Sequence, residues 1–406
     1  MPTPLEGCSI ALGVSGSIAN YKAVELASKL TQVGSIVDVV MTPRAQEFVT
    51  SLTFQSITQR PVTTDPFDPQ SEMGIDHVAI AEHADIVVVA PATANIIAKI
   101  AHGLADDALS VMVLATTAPI IVCPAMDGNM FANPATQYNL ERLKERGIIV
   151  VGPAVGRMAS GLVGEGRLIE VREIIGHMCL VLGQKGDLAG RKITVSAGGT
   201  QESIDSVRFI SNRSSGKMGY AIAEAARDRG ALVTIVAAPG ALADPIGVNV
   251  VRVETALEMQ NAVTALSEDA DALIMSAAVA DWRPRETADH KLKSDKTKVM
   301  KFEMEKTSDI VASILQDNLV KIGFAAETED LINNAHSKIA KKGLDLIVAN
   351  SVSSENNPFG SDHNHLLLID AKSDLDLGRD TKSALAQKLI IEITRHYRAK
   401  HSTQGT

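Results

Sequence analysis

The run Ser9-Ile10-Ala11-Leu12-Gly13-Val14-Ser15-Gly16-Ser17-Ile18-Ala19-Asn20-Tyr21-Lys22 passes from an apolar, β-compatible segment through a turn of small residues into a helical pattern. Ser9 to Val14 reads as a strand, Gly13, Ser15, Gly16 and Ser17 as the turn, Ile18 to Leu30 as a helix, and Ile36 to Met41 as the next strand. Another strand reads at Ile86 to Ala90, followed by the turn Pro91-Ala92-Thr93-Ala94-Asn95 and a further helix. Strands alternating with helices predict an α/β fold, with a parallel sheet covered on both faces. Ligands of such sheets bind beyond the carboxyl ends of the strands.

Near residue 190 the pattern restarts. Gly183, Gly186, Asp187 and Gly190 read as a linker, which divides the chain into domains 1–188 and 189–406. A strand at Lys192 to Ser196 precedes a polar segment of about twenty residues. A helix from Lys217 to Arg229 and a strand from Leu232 to Ala237 follow. Later strands are expected at Ala272 to Met275, Ile322 to Ala325, Leu344 to Ala349 and His365 to Ile369. Lys382 to Tyr397 reads as an amphipathic helix with Leu385, Leu389 and Ile393 on one face, and the last nine residues read as frayed.

Two or three domains of about 100–200 residues suit a chain of 406. With 39 Lys plus Arg against 48 Asp plus Glu, the net charge of −9 and the lack of a basic block argue against nucleic-acid binding. Cys8, Cys123 and Cys179 form no CxxC pair and read as buried thiols of a reducing compartment, the cytoplasm. No N-terminal signal pattern is seen. Ala108 to Met126 carries no charged residue and is about as long as a membrane span. Ser110, Thr116, Thr117, Pro119 and Pro124 divide it, so it reads as a buried helix end and a buried strand, Ile120 to Cys123, and no membrane association is expected.

Three runs in the first half end strands with small or short polar residues. Gly16, Ser17 and Ile18 open a helix, where backbone N–H groups and the helix N-terminus favour a phosphate. Thr93, Ala94 and Asn95 open another, and Pro124-Ala125-Met126-Asp127-Gly128-Asn129-Met130 ends a third strand. In the second half, Arg208-Phe209-Ile210-Ser211-Asn212-Arg213-Ser214-Ser215-Gly216-Lys217-Met218-Gly219 precedes a helix and combines cations, hydroxyls and glycines suited to phosphates. It lacks the GxxxxGK[ST] spacing of a Walker A loop. Ser276-Ala277-Ala278-Val279-Ala280-Asp281-Trp282, Lys291 with Lys293, Gly323-Phe324-Ala325-Ala326-Glu327-Thr328 and the helical Lys338, Lys341 and Lys342 complete a set that suits a triphosphate.

The first-half runs, in this order, resemble those of the flavin-dependent cysteine decarboxylases. With the second half attached, the chain resembles the bifunctional phosphopantothenoylcysteine decarboxylase / phosphopantothenate–cysteine ligase family of bacterial coenzyme A biosynthesis. The resemblance implies two Rossmann-like parallel-sheet domains, a flavodoxin-like flavoprotein domain followed by a ligase domain. It implies FMN held by Gly16, Ser17, Ile18, Thr42, Thr93, Ala94 and Asn95, with His77 as the catalytic histidine. In the family, FMN takes a hydride equivalent from the carbon bearing sulfur so that loss of CO₂ leaves an enethiol, and an acid completes the return step. The resemblance further implies CTP as co-substrate and Mg²⁺. The carboxylate of 4'-phosphopantothenate attacks the α-phosphate, pyrophosphate leaves, and cysteine displaces CMP. Asn212 would hold the acyl intermediate. Met275, Ser276 and Ala277 would line the base. Asp281, Lys291, Ser308, Asp309, Ile310, Val311, Phe324, Lys338 and Lys342 would hold the nucleotide, with Arg208 and Lys217 as phosphate partners. Family members assemble as dodecamers of trimeric flavin domains and dimeric ligase domains.

The chain departs from the family pattern at both sites. Asp127 stands where the family has Asn, and Ser160 where it has the catalytic Cys. An amide donates to a substrate carboxylate, whereas an ionised Asp repels it; two like charges at about 4 Å cost roughly 1–4 kcal/mol in partly screened surroundings. A raised Asp pKa would relieve this by keeping the proton. Serine is a far weaker acid than cysteine, with its free pKa of about 8.5. The expectation is a decarboxylase that is impaired or altered, either an FMN-binding relic or an oxidative enzyme that stops at the enethiol. In the ligase half the family's GPT reads Gly198-Gly199-Thr200 and its KNPDI reads Lys306-Thr307-Ser308-Asp309-Ile310. The remaining catalytic positions match, so an active ligase is expected.

Overall fold

The apolar run Ser9–Val14 forms β1, with five of its six residues buried. It is followed by α1 (Asn20–Gln32), β2 (Ile36–Met41), α2 (Ser51–Thr58), β3 (Val62–Thr63), α3 (Asp76–His83), β4 (Ile86–Ala92), α4 (Ala94–His102), α5 (Ala108–Ala115) and β5 (Ile120–Pro124). The computed structural model describes residues 3–65, 76–292, 300–327, 331–351 and 360–402. The first unit closes with α6 (Gly128–Ala132), α7 (Pro134–Glu145), β6 (Ile149–Val150), the hairpin β7 (Ala154–Arg157) and β8 (Val163–Arg167), and α8 (Val171–Gly183). The chain divides into two compact units, Pro2–Leu182 and Gly183–Thr406.

In the first unit the sheet order is β3-β2-β1-β4-β5-β6, all parallel. Strand residues alternate between two cores. Ile10, Leu12, Val39 and Val88 pack with Leu26, Leu30 and Phe54 on one face. Ala11, Val40, Val87 and Val89 pack with Ile97, Leu109 and Met112 on the other. Both faces are covered, so these strands read as continuous apolar runs. The stretch Ala108–Met126 is divided as expected into α5 and β5, and no helix among the described residues is long and apolar enough to cross a membrane.

The second unit contains β9 (Lys192–Ala197), β10 (Gln201–Ser203), β11 (Phe209–Ser211), α9 (Lys217–Arg227), β12 (Leu232–Ala237), β13 (Asn249–Arg252), α10 (Ala256–Ser267) and β14 (Ala272–Met275). It continues with β15 (Trp282–Pro284), β16 (Met304–Lys306), β17 (Val320–Glu327), α11 (Leu331–Lys342), β18 (Leu346–Ser351), β19 (His363–Ile369), β20 (Asp374–Thr381) and α12 (Lys382–Ser402). Its sheet order is β13-β12-β9-β14-β17-β18-β19-β20, parallel as far as β18 and antiparallel beyond. Ile222, Leu385, Leu389 and Ile393 cover one face with α9 and α12. Met259, Val263, Ala335 and Ile339 cover the other with α10 and α11. Both sheets therefore wind outward in two directions from a central pair, β1/β4 and β9/β14. The crevice at such a reversal is where ligands of open α/β sheets bind.

Three local expectations change. The first helix begins at Asn20 rather than Ile18 because buried Asn20 holds the turn open: oriented with its nitrogen inward, its amide donates to Ser15 O at 2.9 Å and Ser17 O at 3.1 Å. The run from Gly183 to Gly190 is not slack. A Cβ on Gly186 would lie 2.3 Å from Arg229 O, and Asp187 pairs with Arg229. The terminal helix does not fray after Tyr397 but runs to Ser402, held by Lys400 on Asp345 at 2.9 Å and Tyr397 on Asp271 at 2.9 Å.

Candidate active sites

A cavity of about 870 Å³ opens at the carboxyl edge of the second sheet. Its floor is the loop after β14, where Met275, Ser276 and Ala277 line it together with Asp281. Buried hydroxyls fix that loop: Ala277 N donates to Ser196 Oγ at 3.1 Å and Ala280 N to Thr200 Oγ1 at 2.9 Å. One wall is the loop after β11. Asn212 lines the cavity and donates its amide to Val279 O at 2.9 Å, joining the two loops. Gly199 permits this approach, since a Cβ there would sit 2.6 Å from Asn212 O. Another wall holds Ser308, Asp309, Ile310 and Val311, and Phe324 lines the cavity as well. Thr307 anchors that wall by donating its N–H to Asp281 O at 2.9 Å and its hydroxyl to Ala280 O at 2.6 Å. Lys338 and Lys342 enter from α11, and Lys342 pairs with Asp309 at 2.9 Å.

Lys217, the first residue of α9, lines the cavity and is engaged by Asp362 at 2.7 Å and Gly360 O at 2.9 Å. Asn364 and Lys382 line it as well. Sequence reading missed both, and it assigned Lys382 only as a helix start. The available signal was electrostatic, since a lysine in the first turn of a helix opposes the helix dipole.

Arg208 and Lys291 do not line the cavity. Arg208 Nη1 pairs with Asp205 at 2.8 Å and donates to Leu292 O at 3.1 Å, while Leu292 N donates to Asp205 at 3.1 Å. Asp205 thus clamps the β10–β11 hairpin to the segment carrying Lys291. Burial pushes its carboxyl up. The backbone N–H groups of Val207, Leu292 and Arg208 and the Arg208 charge outweigh this and hold its pKa at about 2. Lys293 and Thr328 lie outside the described residues.

A second cavity, of about 330 Å³, lies in the first unit. Ser17 and Ile18 from the turn after β1 line it with Met126 and Asp127 from the turn after β5 and Ser160 from the β7–β8 hairpin tip. Asp127 and Ser160 touch: Ser160 Oγ donates to Asp127 Oδ2 at 2.6 Å, and Asn129 N donates to Asp127 Oδ1 at 3.1 Å. The Ser160 hydroxyl, with the Asn129 N–H, holds the Asp127 carboxyl below its usual range. A raised pKa, the way in which Asp127 could have kept its proton, is therefore not what this geometry favours. Both oxygens accept hydrogen bonds, which favours the charged form.

The hairpin is seated by Gly166, at φ +152°, where a Cβ would meet Met126 O at 2.3 Å. Behind the turn, Ser15 Oγ donates to Pro91 O at 2.8 Å and accepts from Thr93 N at 3.0 Å, joining the ends of β1 and β4. Thr93 caps α4 through Ile96 N, and Thr42 caps the 3-10 turn Pro43–Glu47 through Ala45 N. Thr42, Thr93, Ala94 and Asn95 stand at these strand ends without lining the cavity. His77 falls in α3, but its side chain lies outside the described residues. All three cysteines are buried, and burial pushes Cys8 and Cys123 up to about 12.

Two family models match the chain: Flavoprotein over residues 1–182, and DNA/pantothenate metabolism flavoprotein C-terminal domain over residues 188–397. Among curated relatives, the coenzyme A biosynthesis bifunctional protein CoaBC of Vibrio parahaemolyticus is 45% identical over 390 residues, covering 95% of this chain and 98% of that protein. The CoaBC of Escherichia coli K12 is 42% identical over 402 residues, covering 98% and 99%. Among solved structures, the C-terminal domain of a CoaBC is 36% identical with a TM-score of 0.45, covering 52% of this chain and 97% of that one. A cysteine-to-serine variant of a PPC decarboxylase complexed with pantothenoylaminoethenethiol is 32% identical with a TM-score of 0.39, covering 43% and 98%. Near-complete coverage at more than 40% identity, with both domain models in order, shows that the chain belongs to the bifunctional CoaBC family of coenzyme A biosynthesis.

Proposed function

We propose that the second unit ligates 4'-phosphopantothenate to cysteine at the expense of CTP, and that the first unit binds FMN without completing the redox-neutral decarboxylation of phosphopantothenoylcysteine. The observation that carries the ligase reading is the 870 Å³ cavity, which gathers Asn212, the Met275–Ala277 floor and the lysines of α9 and α11 at one sheet edge. A carboxylate is a poor electrophile. Transfer to the α-phosphate gives it a nucleotide leaving group, and cysteine's amine then displaces CMP. Preorganised cations lower the barrier by meeting the charge that develops on phosphate. Asn212, held by Val279 O, positions the acyl group. Asp281, the 308–311 wall, Phe324, Lys338 and Lys342 hold the nucleotide, and Mg²⁺ bound with it would neutralise phosphate charge. Arg208 and Lys291 do not line the cavity here, so they would reach the phosphate groups only by movement of the segment that Asp205 clamps. The test is pyrophosphate release that requires CTP, Mg²⁺, phosphopantothenate and cysteine together, with ATP run in parallel. No release with either nucleotide overturns the reading.

The first unit fits a flavin nucleotide at its β1/β4 crevice. Gly16 is packed so that a Cβ would lie 2.7 Å from Arg44 Cβ, and Ser17, Ile18, Thr42, Thr93, Ala94 and Asn95 surround the same strand ends. FMN bound there would supply a two-electron acceptor. The charged Asp127 disfavours a substrate carboxylate, and Ser160, bonded to that carboxylate, is a poor proton donor. Anaerobic mixing with phosphopantothenoylcysteine separates the outcomes. Lasting flavin bleaching marks an oxidative decarboxylase and no bleaching marks a relic, whereas phosphopantetheine formed without net flavin reduction sinks the proposal. Ile18 and Tyr21 line this cavity yet are 65% and 62% exposed, which suits a site completed by a neighbouring copy in a cytoplasmic homododecamer. A monomer by sedimentation would remove that part.

A further inference from the structure

Four charged side chains line the 330 Å³ cavity of the first unit: Lys22, Asp127, Arg157 and Arg167. Three of them are answered by protein groups. Buried Lys22 donates to Glu170 Oε1 at 2.8 Å and to Leu168 O at 3.0 Å. Arg167 Nη2 lies 3.7 Å from the same Glu170 oxygen, and its side chain crosses Gly156, where a Cβ would sit 2.6 Å from Arg167 Nη1. Asp127 accepts from Ser160 Oγ and Asn129 N. Arg157 differs: it is exposed, and among the described residues no carboxylate stands within ion-pair distance of it. Its position is nonetheless fixed. Arg157 lies opposite Val163 in the β7–β8 hairpin, whose tip closes through Met158 N on Leu162 O at 2.8 Å and Gly161 N on Met158 O at 2.9 Å. Met158 in turn packs on the Asp127 turn, since a Cβ on Gly128 would lie 3.1 Å from its Cε and one on Gly166 2.8 Å from its Sδ. Met158 and Ser160 thus pin the hairpin beside Asp127, and the residue just before Met158 presents a guanidinium to the same cavity. A planar fork of donors suits a carboxylate, which it binds through two parallel hydrogen bonds. Asp127 and Arg157 share the cavity without pairing, which leaves room for a ligand group between them.

Resting on the reading that this cavity takes a cysteinyl substrate, we propose that Arg157 is the residue that receives the substrate's free carboxylate, so that the site selects N-acylated amino acids over the matching decarboxylated amides. Asp127 acts from the other side. Its charge repels the incoming carboxylate and directs it toward the guanidinium. Arg157 therefore offsets the repulsion at Asp127, and the first unit still holds the acid.

A guanidinium also suits the phosphate ester of such a substrate, so the test separates the two anions. Three probes carry a hydroxyl in place of the thiol, which keeps the flavin from being consumed: 4'-phosphopantothenoylserine with both anions, pantothenoylserine with the carboxylate alone, and the ethanolamine amide of 4'-phosphopantothenate with the phosphate alone. Each is titrated calorimetrically into the FMN-loaded full-length wild type, Arg157→Gln and Arg157→Lys, with flavin absorbance confirming equal FMN content. Arg157→Gln is expected to bind both serine probes about fivefold or more weakly and the ethanolamine amide within about twofold of the wild type. Arg157→Lys should fall between, because it keeps the charge and loses the fork. Asp127→Asn should bind the two serine probes more tightly and leave the amide unchanged. Equal weakening of all three probes by Arg157→Gln, or weakening of the two phosphate-bearing probes only, overturns the proposal, as does unchanged binding of the serine probes. The expected pattern together with phosphopantetheine formed without net flavin reduction would refute the impaired-decarboxylase reading alone. Binding of all three probes with no dependence on Arg157 would refute this inference alone, and a wild type that binds none of them overturns both.

Discussion

Ser160 donates its one hydroxyl hydrogen to Asp127 across 2.6 Å, so the two side chains form a single unit. Restoring one half leaves the other in conflict. A thiol from Ser160→Cys would face a carboxylate that raises its pKa, and an amide from Asp127→Asn would still lack an acid beside it. The double variant Asp127→Asn with Ser160→Cys is expected to raise phosphopantetheine formation by about 10²-fold or more over the wild type, the usual worth of a positioned acid, with each single variant well below it. Product assay under anaerobic conditions checks this. In the other unit, Asp205 makes a pH prediction. Its folded pKa of about 2 lies below the ordinary carboxylate value, so the folded state binds its proton less readily than the unfolded state. The stability it lends is complete above about pH 4 and is lost as pH falls through about 2. Denaturation midpoints of the wild type and Asp205→Asn should therefore differ by a constant amount from pH 4 to 8 and converge toward pH 2. A gap that instead closes near neutrality would contradict the clamp.

At the scale of elements, the loops that carry chemistry are seated by glycines. Gly199 meets the Asn212 carbonyl so closely that Gly199→Ala must push the Asn212 loop outward. Overpacking of this kind costs about 1–3 kcal/mol. Ligase turnover is expected to fall at least tenfold in Gly199→Ala while FMN content stays unchanged, read by pyrophosphate release and flavin absorbance on one preparation. The sheets were legible in the sequence because both their faces are buried: β1, β2, β12 and β14 are apolar runs, and their bounds coincide with the expected ones. The hairpins were not. In β7 and β8 exposed Val155, Arg157, Val163, Glu165 and Arg167 alternate with half-buried Ala154, Gly156 and Gly164 and with buried Gly166, so no apolar face forms, and β10 and β11 have three residues each, too short for periodicity to register. The cavity lining was legible where local motifs carry it, at Asn212, Met275–Asp281 and Phe324. Asn364 and Lys382 reach the same edge only because β19 and β20 turn back antiparallel beside β18, which no local pattern reveals.

Across the whole molecule, each cavity is lined by residues of one compact unit only. The two chemistries should therefore separate by mutation. Asn212→Ala is expected to lower ligation by about 10²-fold, as loss of one positioned polar group does, and to leave flavin binding intact. The Asp127–Ser160 changes should leave ligation intact. Growth tests follow from this: the wild-type chain should rescue a ligase-deficient strain and fail to rescue a decarboxylase-deficient one. Rescue of both would identify a housekeeping bifunctional enzyme that tolerates Asp127 and Ser160. The most direct measurement omits cysteine. Enzyme is mixed with CTP, Mg²⁺ and 4'-phosphopantothenate, quenched, and assayed for pyrophosphate and for an acyl-cytidylate by mass. A burst of pyrophosphate near one per active site, with the mixed anhydride present and consumed on adding cysteine, is the predicted result. Pyrophosphate absent, or formed without any acyl-cytidylate, would contradict it.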